Sequence, residues 1–196
     1  LLLYLLFGIP MSVYCQKGSY YGNPSDASEI CRINLAAVNS FSSNKEAENA
    51  LDKIIAVTGI SKRFALYQCN GIDNCMAITF RGIRYIFYDS EFLKSITQNT
   101  ESYWSNIFIL AHEVGHHVEG HTLDWLSLVT GEIPPSTLAE GRQEELEADE
   151  FSGFVMYKLG ASLAQAQITM EVYAINGDDS YSTHPNKTKR LKAIAK

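Results

Sequence analysis

The run Ile109-Leu110-Ala111-His112-Glu113-Val114-Gly115-His116-His117-Val118-Glu119-Gly120-His121 constrains this chain more than any other stretch. Ile107, Phe108 and Leu110 precede the histidines at helical spacing, so the segment reads as a helix buried along one side, roughly Ser102 to Gly120. His112 and His116 stand at i and i+4, which puts both imidazoles on one face, one turn apart. Both imidazoles can then point at one metal, or they can be solvated or core-satisfied histidines of an ordinary helix, and the rest of the chain decides. Glu113 follows the first of them, and its carboxylate can reach a water at that point without joining the pair.

An i, i+4 histidine pair with an intervening glutamate suits a cation held by three protein ligands with one position open. The third ligand is not on the same helix. The metzincin pattern would need Gly at 119 and His at 122, whereas the chain has Glu119, Gly120, His121 and Thr122. On a continued helix His121 lies about 140° around the axis from His116, on the wrong face. His117 and His121, a second i, i+4 pair, read as solvent-facing or cleft-lining. A better source is Glu140-Gly141-Arg142-Gln143-Glu144-Glu145-Leu146-Glu147-Ala148-Asp149-Glu150, on a helix expected from about Leu138 to Leu159. Composition alone makes this a solvated face, but Glu145 and Asp149 share one side of it. One can bind the cation while the other accepts the Nδ1–H of a ligand histidine. Glu144 and Glu147 are out of that register.

Four segments in order resemble the M48-type gluzincin peptidases. They are His112-Glu113-Val114-Gly115-His116; Glu145-Leu146-Glu147-Ala148-Asp149, as E-x-x-A-D; Ser182-Thr183-His184-Pro185 with Arg190-Leu191, as S-x-H-P-x-x-x-x-R-[IL]; and Asn74-Cys75-Met76-Ala77, as the start of the family's edge strand. The resemblance spans roughly residues 70 to 195 and implies a zinc-dependent endopeptidase. His112, His116 and Glu145 would hold one Zn²⁺ and Glu113 would act as general base. Asp149 would orient a ligand histidine, His184 would face the cleft and stabilise an oxyanion, and Arg190 would pair with a nearby carboxylate. Met76, Ala77 and Ile78 would line the substrate strand. Two departures stand out: Cys75 replaces the family's alanine, and residues 122 to 136 form an insertion between the two zinc-binding helices. The competing reading is a catalytically silent zinc-binding or chaperone-like module on the same fold.

The rest of the chain supports an α+β architecture of zincin-like type: a small antiparallel sheet packed on the histidine helix, with a helical C-terminal part. Helix is expected from about 30 to 57, broken near 41–44. Strands follow at 64–68, 76–80 and 84–88, the last two joined by a turn at Arg81-Gly82. Further helices are expected at about 162–176 and from Pro185 to Ile194. A net charge of −6 with no basic stripe excludes a nucleic-acid partner and leaves a peptide or protein substrate.

Leu1 to Tyr14 is apolar and uncharged but short of the ~20 residues a membrane span needs. It reads as the core of a secretory signal, with Val13 and Cys15 at the −3 and −1 positions. The expected organisation is a leader over 1–15, a polar tail over 16–29 and one domain over 30–196, without an integral span. The protein is expected to be secreted or periplasmic, with a lipid anchor on Cys15 as the lesser alternative. Cys69 and Cys75 flank a tight polar turn, and in an oxidising compartment they are expected to pair.

Overall fold

The computed structural model of the chain describes residues 45–80, 82–123 and 137–196. The expected leader, tail, first half of the N-terminal helix, Cys15 and Cys31, and nearly all of the insertion lie outside the described residues. The elements in chain order are α1 (Lys45–Thr58), β1 (Phe64–Gln68), β2 (Cys75–Phe80), β3 (Ile83–Tyr88), α2 (Ser90–Thr100), α3 (Trp104–Val118), α4 (Leu138–Lys158), α5 (Leu163–Tyr173) and α6 (Lys187–Ile194). Three strands and six helices among the described residues make an α+β fold, as expected for a compact zincin-like domain. No helix among the described residues is long and apolar enough to cross a membrane.

The sheet corrects one expectation. Its order is β1-β3-β2, and it is mixed rather than antiparallel. β2 and β3 form the expected antiparallel hairpin, pairing Met76 with Phe87 and Ile78 with Tyr85, with Gly82 in the left-handed conformation at the turn. β1, however, lies on the far side of β3 and runs parallel to it, pairing Leu66 with Ile86. The loop 69–74 therefore straddles the end of β3, where Cys69 N–H donates to the Tyr88 carbonyl and Cys75 pairs with Tyr88 from the other side.

This topology removes the expected Cys69–Cys75 bridge. Two strand spacings separate the two residues, about 10 Å, well beyond disulfide reach. They also face opposite sides of the sheet, Cys75 in the main core and Cys69 in the smaller cluster. Cys75 is a free, buried thiol.

Both sheet faces are buried, with side chains alternating between them at period two. Leu66, Ile86 and Tyr88 join the main core with Leu51 and Ile54 of α1, Phe108, Leu110 and Val114 of α3, Met156 of α4 and Met170 of α5. Tyr67, Met76, Ile78, Tyr85 and Phe87 form the second cluster on the other face.

α2 was not expected from the sequence. Asp89 starts it: its carboxylate accepts from Glu91 N–H as an N-cap, and also from Gly71 N–H at 2.7 Å and Asp73 N–H at 3.2 Å. One buried side chain thus ties the straddling loop to the helix start. Burial opposes its ionisation, but the backbone N–H groups of Asp73, Glu91 and Gly71 outweigh it and hold the carboxyl below its usual range. A depressed folded pKa means the support is complete above the unfolded value of ~3.9 and fades as pH falls through the folded one. Asp89→Ala should cost about 2–4 kcal/mol, as a lost cap plus stranded loop donors. It should read as a lower urea midpoint at unchanged slope.

Two glycines set the helix crossings that position the site. At Gly115 in α3 an added Cβ would lie 3.1 Å from Ala148 Cα in α4. At Gly153, further along α4, it would lie 2.2 Å from the Ile194 carbonyl oxygen of α6. The backbones of α3, α4 and α6 approach closely because neither position carries a side chain.

Candidate metal centre

α3 delivers His112, Glu113 and His116 to the interior, all buried. α4 crosses it and delivers Glu145 and Asp149, also buried. Thr137 and Glu140 start α4 with a reciprocal capping box, which fixes the register of the acidic face. The three expected ligands converge. His112 Nε2 and His116 Nε2 are 3.1 Å apart, His112 Nε2 is 3.3 Å from Glu145 Oε2, and His116 Nε2 is 3.5 Å from Glu145 Oε1. Ligands ~2.0–2.1 Å from a tetrahedral Zn²⁺ are separated by about 3.3 Å, so these edges suit such an ion.

The donor chemistry fits as well. His112 Nδ1 lies 3.1 Å from Asp149 Oδ1, and a carboxylate can only accept, so the Nδ1 proton is directed there and Nε2 is left as a lone pair. Two nitrogens and a carboxylate then face one point, a donor set that suits a cation. Burial alone would lower the His112 pKa, but the Glu145 charge and the hydrogen bonds to Asp149 and Glu145 raise it to about 10. Glu145 is pushed the other way: burial opposes its charge, yet His112, His116 and Arg190 hold it well below the usual carboxylate range. Burial takes His116 down to about 4.

Arg190 of α6 closes the back of the site. Its Nε and Nη2 donate to the two oxygens of Asp149 at 2.7 Å each, and Nη2 stands 3.4 Å from Glu145 Oε2. The expected carboxylate partner of Arg190 is thus Asp149, the residue that orients His112. His184 sits on the loop before α6, with Nε2 3.7 Å from Glu145 Oε1 and its ring partly open to the cleft. That loop is anchored by Arg142, which donates to the carbonyls of Asp179, Ser180 and Ser182, and by Asp179, paired with Lys189.

Glu113 contributes no atom to the three-residue cluster. Burial lifts its carboxyl to about 8, against the opposing effect of His112. Its carboxylate accepts the backbone N–H of Ala77, so β2, an edge strand, runs beside the site. One pocket holds the three cluster residues, Glu113, His184 and Cys75. Met76 and Ile78 turn their side chains to the second cluster, and neither they nor Ala77 line this pocket.

The expectation for His117 and His121 fails. His117 is buried, with Nδ1 2.8 Å from Thr122 Oγ1 and Nε2 2.8 Å from the Tyr85 carbonyl oxygen, and it locks α3 to the sheet. Its burial lowers the imidazole to about 4. His121 does not continue the helix. α3 ends at Val118, Gly120 takes a left-handed conformation, and His121 N–H returns to the His116 carbonyl, so its ring folds back onto that of His116. Gly120 just past the apolar period was the available signal. His121 and Glu147 are the residues of the site that the sequence reading missed.

Comparison with curated proteins and with solved structures gave no match. The model of peptidase family M48 matches residues 123–196, the part that carries Glu145, Asp149, His184 and Arg190. That match covers the C-terminal part of the chain and leaves out His112 and His116; the two-histidine, one-carboxylate cluster, whose carboxylate lies inside it, is consistent with a zinc metallopeptidase.

Proposed function

We propose that this chain is a zinc-dependent endopeptidase in which His112, His116 and Glu145 hold the ion and Glu113 is the general base. The observation that carries the reading is the convergence of those three donors with Glu113 beside them but outside the set. When bound, Zn²⁺ supplies Lewis acidity to a scissile carbonyl and to a water. Glu113 then takes the proton of the attacking water and delivers it to the leaving amine. His184, at the cleft mouth, donates to the developing oxyanion. The backbone at Met76, Ala77 and Ile78, on the edge strand, pairs with an extended substrate. Asp149 holds the His112 tautomer, and Arg190 holds Asp149 in place through two hydrogen bonds. The apolar run over residues 1–14 supports export.

A silent zinc-binding module would have no use for a buried glutamate beside the ligands, so catalysis is the better reading. The test compares two neighbours. Glu145→Ala should weaken Zn²⁺ binding by more than about 100-fold, beyond the range of losses from outer partners. Glu144→Ala should change it little. Peptide-library cleavage should stop with chelator and return with Zn²⁺. Equal effects of the two substitutions, or cleavage that ignores the chelator, would reject the assignment.

A further inference from the structure

We propose that His121 and Glu147 are positioning residues that fix the ring of His116 in its metal-binding tautomer. The proposal rests on reading the cluster as a metal centre. His116 Nδ1 lies 3.0 Å from His121 Nδ1, His121 Nε2 lies 2.9 Å from Glu147 Oε2, and Glu147 Oε1 accepts from Gln143 Nε2 at 2.9 Å. The direction of this chain is set from its far end. Glu147 is a carboxylate that only accepts, so His121 carries its proton on Nε2 and presents a bare Nδ1. His116 must then donate from Nδ1, which leaves the Nε2 lone pair facing His112 Nε2 and Glu145. The opposite tautomer of His116 would put a hydrogen where a ligand bond has to form.

The two ligand histidines are thus oriented by two carboxylates of the same helix. Asp149 acts on His112 directly and is buried under Arg190. Glu147 acts on His116 through an intervening imidazole, and its side chain is 42% exposed. α4 supplies a ligand at 145, an orienting group on the same side at 149, and another at 147, which is turned to a different side of the helix and meets the returning chain at His121. The relay exists because Gly120 turns the chain back; on a straight helix His121 would point elsewhere.

The experiment has two readouts. The first is Zn²⁺ affinity by chelator competition, with the visible spectrum of bound Co²⁺. The second is ¹⁵N NMR of the His116 ring in metal-free protein, which reports its tautomer directly. His121→Phe keeps a ring of similar size and removes the acceptor. It should lower Zn²⁺ affinity about 10–100-fold, shift the Co²⁺ bands, and bring up the Nε2–H tautomer of His116. His121→Asn, with an oxygen near the lost Nδ1, should restore much of the affinity. Glu147→Leu, at a half-exposed position, removes the acceptor for His121 Nε2–H; it should fall between, and it carries the test if His121→Phe does not fold. Wild-type affinity with an unchanged tautomer in folded His121→Phe, or in Glu147→Leu, would overturn the proposal. Failure of the wild-type protein to bind Zn²⁺ would instead overturn the metal-centre reading, and the metal-free tautomer measurement would still decide the relay.

Discussion

Glu113→Gln should leave Zn²⁺ bound at wild-type affinity and reduce peptide hydrolysis by at least about 10²–10⁴-fold, the range that a positioned proton acceptor contributes. The substitution changes one oxygen to nitrogen and keeps the volume. Glu113 is not among the three converging donors, so the ligand set is untouched. Its bond from the Ala77 backbone N–H can be kept, because a glutamine carbonyl accepts as a carboxylate does. Turnover against a fluorogenic peptide, with zinc content measured on the same sample, checks both halves. Retained hydrolysis would remove Glu113 from its role, and lost metal would mean that it helps hold the ion.

Gly153→Ala should lower stability by about 3 kcal/mol or more, at the upper end of overpacking costs. The new Cβ would meet the oxygen, carbonyl carbon and Cα of Ile194 at 2.2, 2.9 and 3.0 Å. These are backbone atoms, which cannot rotate away as a side-chain tip can. α6 must retreat, and α6 carries Arg190, whose two hydrogen bonds neutralise the buried Asp149. Leaving that carboxylate unpaired adds its own penalty. A thermal melt should fall by roughly 10 °C for a chain of this size. An unchanged melting temperature would mean that α4 and α6 do not cross at this residue.

The parts of this molecule that sequence made legible are those governed by local periodicity. The i, i+4 relation placed His112 with His116 and Glu145 with Asp149. The expected bounds of α4 fall within a residue of the observed ones, since the glycine at 160 that ends it acts locally. The ligand role of Glu145 needed the family resemblance as well, because Glu144 and Glu147 carry the same chemistry one and two positions away. What stayed hidden depends on non-local geometry. Parallel pairing of β1 with β3 follows from a six-residue loop choosing to step over a strand, and FALYQ reads identically in either direction. α2 was missed because SEFLKSITQNT is mostly polar, and its start depends on Asp89 also binding Gly71 and Asp73 across the chain. His117 looked solvated because nothing near it in sequence announces that Tyr85 and Thr122 will close over it.

The contact between Gly115 and Ala148 has a consequence for which ion the site accepts. Two donors ride on one helix and the third on another, and an added methyl at that crossing would stand 3.1 Å from the neighbouring Cα, so the two cylinders have nowhere closer to go and much packing to lose by parting. Their spacing behaves as a calliper. A small four-coordinate cation with two nitrogen donors fits between the jaws. A calcium-sized one, which wants six to eight oxygens at ~2.3–2.6 Å, would have to prise the jaws open against the domain's own core.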